Sequence, residues 1–137
     1  MRIALILLLL ILVASPGNTT EQPIIEIKGP TVIAFFMPLN DETLTDDFDT
    51  NVALDDFKFY ASKARESLKK AAIDFKEVNS KSFRVRDGMK EIVFQSKEAN
   101  FGYYFISPGM KAVVKYGVMT EVDLFECAHQ YFGIVVQ

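Results

Sequence analysis

Cysteine is nearly absent: of 137 residues, only Cys127 carries a thiol. An internal disulfide is therefore excluded, and a folded core must hold together by packing alone. Histidine is as scarce. With His129 as the one imidazole, a Ser-His-Asp hydrolytic arrangement is poorly supported, and no His, Cys and carboxylate spacing suits zinc. A glycine-rich phosphate loop is missing, as are internal repeats. No apolar run reaches the roughly 20 residues needed to cross a bilayer; the run from Ile3 to Val13 holds eleven.

That run follows Arg2 and precedes the small and turn-forming residues Ser15, Pro16 and Gly17. A short cationic start, an apolar stretch and a small-residue end are the pattern of a secretory signal peptide. Residues 1–17 are expected to be a signal peptide cleaved after Gly17, and the remainder to be exported, either periplasmic or secreted, with no membrane attachment after cleavage. Residues 18–30 read as a linker with a possible first strand, 31–133 as one folded domain, and 134–137 as a short exposed apolar tail that could reach a sheet edge.

Half of the chain is hydrophobic, with 12 phenylalanines, enough for a packed core at this length. Charge is uneven. Residues 18–62 carry nine acids and two bases, a net of −7; residues 63–115 carry six acids and twelve bases, a net of +6; residues 116–137 add three acids. The slightly acidic whole argues against a dedicated nucleic-acid binder.

Periodicity gives the elements. Pro23–Ile27 can form a short strand. Thr31–Met37 is almost wholly apolar and β-branched or aromatic, which suits a strand covered on both faces in the middle of a mixed sheet, with a helix on either side. Leu54, Phe57, Ala61, Ala64, Leu68 and Ala71 recur at helical spacing and predict a helix over 51–72, with Lys69 and Lys70 suiting its C-terminal end. Ile73–Val78 reads as a strand. Ser82–Phe94 reads as a hairpin turning at Asp87-Gly88. Asn100–Gly117 reads as two strands joined at Pro108-Gly109, which suits a type II turn. Thr120–Phe132 reads as a second helix, with Thr120 as N-cap and Gly133 as its stop.

The order is strand, helix, strand, hairpin, strand, strand, helix. From Phe101 to Phe132, "FGYYFISPGMKAVVKYGVMTEVDLFECAHQYF" resembles the C-terminal half of a thioredoxin-like domain: an apolar strand, a tight turn, an amphipathic strand ending at a glycine, then the last helix. With Thr31–Met37 and the long helix, the resemblance covers most of residues 24–133. It implies an α/β fold, a mixed sheet of about four to five strands with helices packed on it, and here a β-hairpin insertion where the family has its second helix. Two departures change what the resemblance implies. Met37, Pro38, Leu39 and Asn40 stand where the family carries its Cys-x-x-Cys pair, and Glu98-Ala99-Asn100-Phe101 lacks the family's proline before the third core strand. A dithiol reaction needs one thiolate to attack and a second to resolve. The expectation is a redox-inactive domain that takes no cofactor and no metal and binds a protein or peptide. Its contact surface would be Met37, Pro38, Leu39, Asn40 and Asp41 beside Asn100 and Phe101.

Other features admit other readings. Cys127 could serve a single-cysteine thiol enzyme, but it lies late in its helix beside Glu126, where the dipole disfavours an anion. His129 reads as a surface residue of the same helix. Asp47, Asp49 and Asn51 match the first three ligand positions of a calcium loop, yet Val52 and Lys58 stand where its glycine and bidentate glutamate belong; capping of the helix is the plainer role, with Asp46, Asp47 and Asp49 left as a weak cation site. Arg84 and Arg86 share one strand face and could recognise an anion or an acidic partner. A cystatin-like α+β binding domain is a further alternative; it requires Thr31–Met37 at a sheet edge.

Overall fold

In the computed structural model, residues 22–36, 48–97 and 99–137 are described. Within these residues seven strands and two helices follow in chain order: β1 (Ile24–Glu26), β2 (Thr31–Phe36), α1 (Phe48–Lys70), β3 (Asp74–Val78), β4 (Ser82–Asp87), β5 (Lys90–Gln95), β6 (Phe101–Ile106), β7 (Val113–Tyr116) and α2 (Glu121–Phe132). They form an α/β architecture with two mixed sheets. The larger has the order β3-β2-β6-β7 and the smaller the order β1-β4-β5. In the larger sheet β2 and β3 are parallel, while β6 runs antiparallel to both β2 and β7.

Strand β2 is internal and covered on both faces, as its composition predicts. Alternate side chains of a strand point to opposite faces, and here each set enters a different core. Val32 and Ala34 join Leu54, Phe57, Ala61, Ala64 and Leu68 of α1 and Leu124 and Ala128 of α2. Ile33 and Phe35 join Phe83 and Val85 of β4, with Tyr104 and Ile106 of β6. Val32, Ile33 and Phe35 are fully buried, each worth roughly 1.5–3 kcal/mol of burial.

The helices therefore do not flank the sheet. Both pack on one face, and the small sheet covers the other. The hairpin is the reason. Its Phe83 and Val85 form an apolar stripe that must be buried, and Phe83 and Phe94 meet Tyr104 edge to face with ring centroids at 5.4 and 4.9 Å. The hairpin also captures β1 in parallel, Ile25 opposite Val85. It is thus the centre of a second layer, which a single sheet of four to five strands with an insertion does not describe.

Local signals explain most boundaries. The hairpin loop is Gly88-Met89, one residue later than expected, with Gly88 at φ +61°. At the β6–β7 turn the Met110 N–H donates to the Ser107 carbonyl at 3.0 Å, and Gly109 sits at φ +73°, as a type II turn requires. Thr120 caps α2 in a reciprocal pair with Asp123, and Gly133 ends it in the left-handed conformation. Helix α1 begins three residues earlier than its stripe suggested. The C-terminal residues Ile134 and Val136 lie against the helix-side core, so of the expected exposed tail's apolar residues only Val135 stays exposed.

The end of α1 is unusual. The Ile73 N–H donates to the Leu68 carbonyl at 2.9 Å, and Ala72 N–H to the Lys69 carbonyl at 3.0 Å. This is the Schellman pattern, but Ala72 takes its left-handed position at φ +60°, where glycine is usual. Gly102 poses the opposite problem: a Cβ there would lie 2.6 Å from the Lys115 carbonyl oxygen across the β6–β7 ladder. Two substitutions follow. Ala72→Gly relieves a steric cost of about 1–2 kcal/mol against a smaller entropic loss, and is expected to stabilise by about 0.5–1 kcal/mol. Gly102→Ala, locked between β2 and β7, is expected to cost about 2–3 kcal/mol. Urea denaturation midpoints of the two variants check both signs.

Candidate functional site

The C-terminal ends of the parallel strands β2 and β3 meet the middle of α1, and a cleft of about 360 Å³ opens there. Ala34 and Phe36 of β2 and Glu77 of β3 form one wall; Phe57, Lys58, Ala61, Ser62 and Arg65 of α1 form the other. The geometry follows from helix spacing. Phe57, Ala61 and Ala64 face the core, so Lys58, Ser62 and Arg65, each one residue later, run along the rim. Ala34 leaves room because its side chain is a single methyl between larger neighbours.

The floor is aromatic. Phe57 lies 6.3 Å from the Phe36 ring, 5.1 Å from Phe101 and 4.8 Å from Tyr103. The rim is charged. Arg65 is ion-paired with Glu77, and Lys58 Nζ sits 5.2 Å over the Phe36 ring. Among the described residues, Lys58 forms no ion pair with a carboxylate. Beneath the cleft, Glu77 and Tyr103 stand on either side of Ala34 in adjacent ladder positions. The Tyr103 hydroxyl is buried with no hydrogen-bond partner among the described residues. Burial, and secondarily the Glu77 carboxylate, push its ionisation well above the ordinary tyrosine range. It is a neutral group, not an acid–base candidate near pH 7.

The residues expected from the sequence fall unevenly around this cleft. Phe101 pairs with Phe36 across β2 and β6 and packs behind Phe57, but does not itself line the cleft. Asn100 is exposed just before it. Met37, Pro38, Leu39, Asn40 and Asp41 lie outside the described residues. Lys58, Ser62, Arg65 and Glu77 were not anticipated. Their signal was the polar row bordering the α1 stripe, which sequence alone cannot distinguish from any solvated helix face.

Arg84 and Arg86 do share the outward face of β4, while Phe83 and Val85 are buried. Their charges are already engaged. Arg84 pairs with Glu91 at 3.0 Å, and Arg86 contacts both Glu26 and Glu91 at 3.6 Å. The carboxylates come from the strands on either side, which leaves little free positive field for an outside anion. Asp49 and Asn51 stand in the first turn of α1, so the backbone from Phe48 onward is helical where a calcium loop would have to wrap. Asp46 and Asp47 lie outside the described residues. No group of three or more metal-ligating side chains occurs among the described residues, and no described helix is long and apolar enough to cross a membrane.

Cys127 packs at the edge of the helix-side core, and His129 is exposed on α2. Burial raises the thiol's ionisation; Lys115 opposes this, while Glu126 and Asp123 reinforce it. A raised value means less thiolate at neutral pH, and the thiolate is the reactive form. Native protein at pH 7 is therefore expected to label with a thiol reagent several-fold more slowly than the urea-unfolded chain, with the rate climbing toward alkaline pH; labelling as fast as in the unfolded chain contradicts this. Comparison with protein-family models, curated proteins and solved structures gives no match to this chain.

Proposed function

We propose that the chain is an exported, thioredoxin-like domain without dithiol chemistry, and that it works by binding a protein or peptide in the cleft between α1 and the ends of β2 and β3. The parallel β2–α1–β3 unit, followed by the antiparallel β6–β7 pair and the capped α2, supports the thioredoxin-like reading. The small sheet occupies the face where that family has its second helix. The absence of a second cysteine removes disulfide exchange.

The observation that carries the binding role is the position of the cleft. Ligands of open α/β sheets sit beyond the C-terminal ends of the strands, an argument from fold analogy. Here that location combines an aromatic floor of Phe36 and Phe57, the latter backed by Phe101, with the cationic rim residue Lys58. Such a surface suits an apolar or aromatic side chain next to a carboxylate, as in an acidic peptide segment. The Arg65–Glu77 pair bounds the cleft and discriminates little by charge.

A peptide-display selection on the purified protein tests this. Selected peptides are expected to contain an acidic residue beside an apolar one and to lose at least tenfold in affinity against Lys58→Glu or Ser62→Trp, with circular dichroism unchanged. Peptides indifferent to both substitutions would place the binding surface elsewhere. In parallel, the protein is expected not to reduce insulin disulfides.

A further inference from the structure

Among the described residues, each sheet ends in two strands whose outer backbone groups lack a strand partner, and three of these four edges are guarded. β1 has three residues and follows Pro23. β3 carries Asp74, Lys76 and Glu77, the last tied to Arg65. β7 has four residues, including Lys115. Short edges, proline and charge are the usual protections against strand addition. β5 has none of these in its middle: it is six residues long and carries Ile92-Val93-Phe94 at its centre, with Val93 60 % exposed.

The hydrogen-bond parity of β5 is fixed by its neighbours. The Arg84 N–H donates to the Pro23 carbonyl, and the Arg86 carbonyl accepts from the Ile27 N–H, both at 2.9 Å. Those backbone groups of β4 therefore serve β1, and Phe83, Val85 and Asp87 serve β5 through Phe94, Ile92 and Lys90. The backbone N–H and C=O groups of Glu91, Val93 and Gln95 consequently point away from the sheet.

We propose that β5 is a dimerisation edge: it pairs antiparallel with β5 of a second copy about a two-fold axis at Val93, joining the two small sheets into one of six strands. The register argues for a second copy. Of the two alignments that keep parity and overlap five residues, the one centred on Ile92 sets Lys90 against Phe94 and Glu91 against Val93. The one centred on Val93 sets Ile92 against Phe94, Val93 against Val93 and Glu91 against Gln95. It matches apolar with apolar and places no like charges opposite each other. Glu91 is in addition already neutralised by Arg84 and Arg86.

The same pairing accounts for an open groove of about 540 Å³ on the inner side of β5, lined by Val85, Ile92, Phe94, Ile106, Met110 and Ala112. Paired strands keep their inward residues on one side, so the second copy's Ile92 and Phe94 arrive beside this groove. The interface is isologous, since each residue meets its symmetry mate's counterpart. It is independent of the α1 cleft, which lies on the other face of the larger sheet.

Sedimentation equilibrium and backbone hydrogen exchange on the full-length protein test the pairing. A monomer–dimer equilibrium is expected, with the Glu91, Val93 and Gln95 amides slowing as the dimer fills. Val93→Pro removes both hydrogen bonds of the central pair, at a position whose N–H faces outward and so tolerates proline, and is expected to raise the dissociation constant at least about tenfold. Val93→Lys sets two cations opposite each other and should do the same without altering the backbone. Val122→Lys, on exposed α2, should leave dimerisation unchanged. A wild type that stays monomeric at roughly several hundred micromolar, a dimer that survives both Val93 variants, or free exchange of the three amides in the dimer overturns the proposal.

Discussion

The burial of β2 on both faces is the constraint from which the rest follows. A strand with no solvent face needs a layer above and a layer below, and it needs a hydrogen-bonding neighbour on each side. β3 and β6 supply the neighbours. α1 and α2 form one layer, and the small sheet forms the other. Ala34, set between larger residues on the helix side, is where this packing leaves space. The cleft is thus a by-product of the central strand's composition: a methyl where a branched chain would have closed the surface.

Much of this layout was legible in the residues. The α1 stripe, the Thr120 and Gly133 caps, the Pro108-Gly109 turn and the doubly covered Thr31–Phe36 strand each rest on local physics, and local physics is what a sequence displays. Two features were not legible. The first is the second sheet. Ile24-Ile25-Glu26 is too short to announce a partner, and its parallel pairing with Ile25 opposite Val85 depends on residues sixty positions away. The second is the common side of the helices. Periodicity shows that a helix has a buried face but does not say on which side of a sheet that face lies.

The candidate site divides along the same line. Phe101 could be placed near the end of β2 because a strand order was in view. Lys58, Arg65 and Glu77 could not, since each reads as an ordinary solvated charge within its own element. Arg84 and Arg86 show the reverse error of scale. Strand alternation correctly placed both on one face, but only the register reveals that Glu26 and Glu91 stand opposite them. Charge at a sheet surface has meaning only together with the strands on either side.

The order in which the strands pair has a kinetic consequence. Apart from the β4–β5 hairpin and the β6–β7 turn, every ladder joins distant segments: β1 to β4, β2 to β3 across a 23-residue helix, and β2 to β6. Loop-closure entropy must be met before such contacts reward the chain, so folding is expected on the millisecond-to-second scale rather than in microseconds. Throughout that interval β2, the most apolar strand, has no local partner to shield it. A chain of this topology depends on being kept apart from its neighbours until β6 arrives.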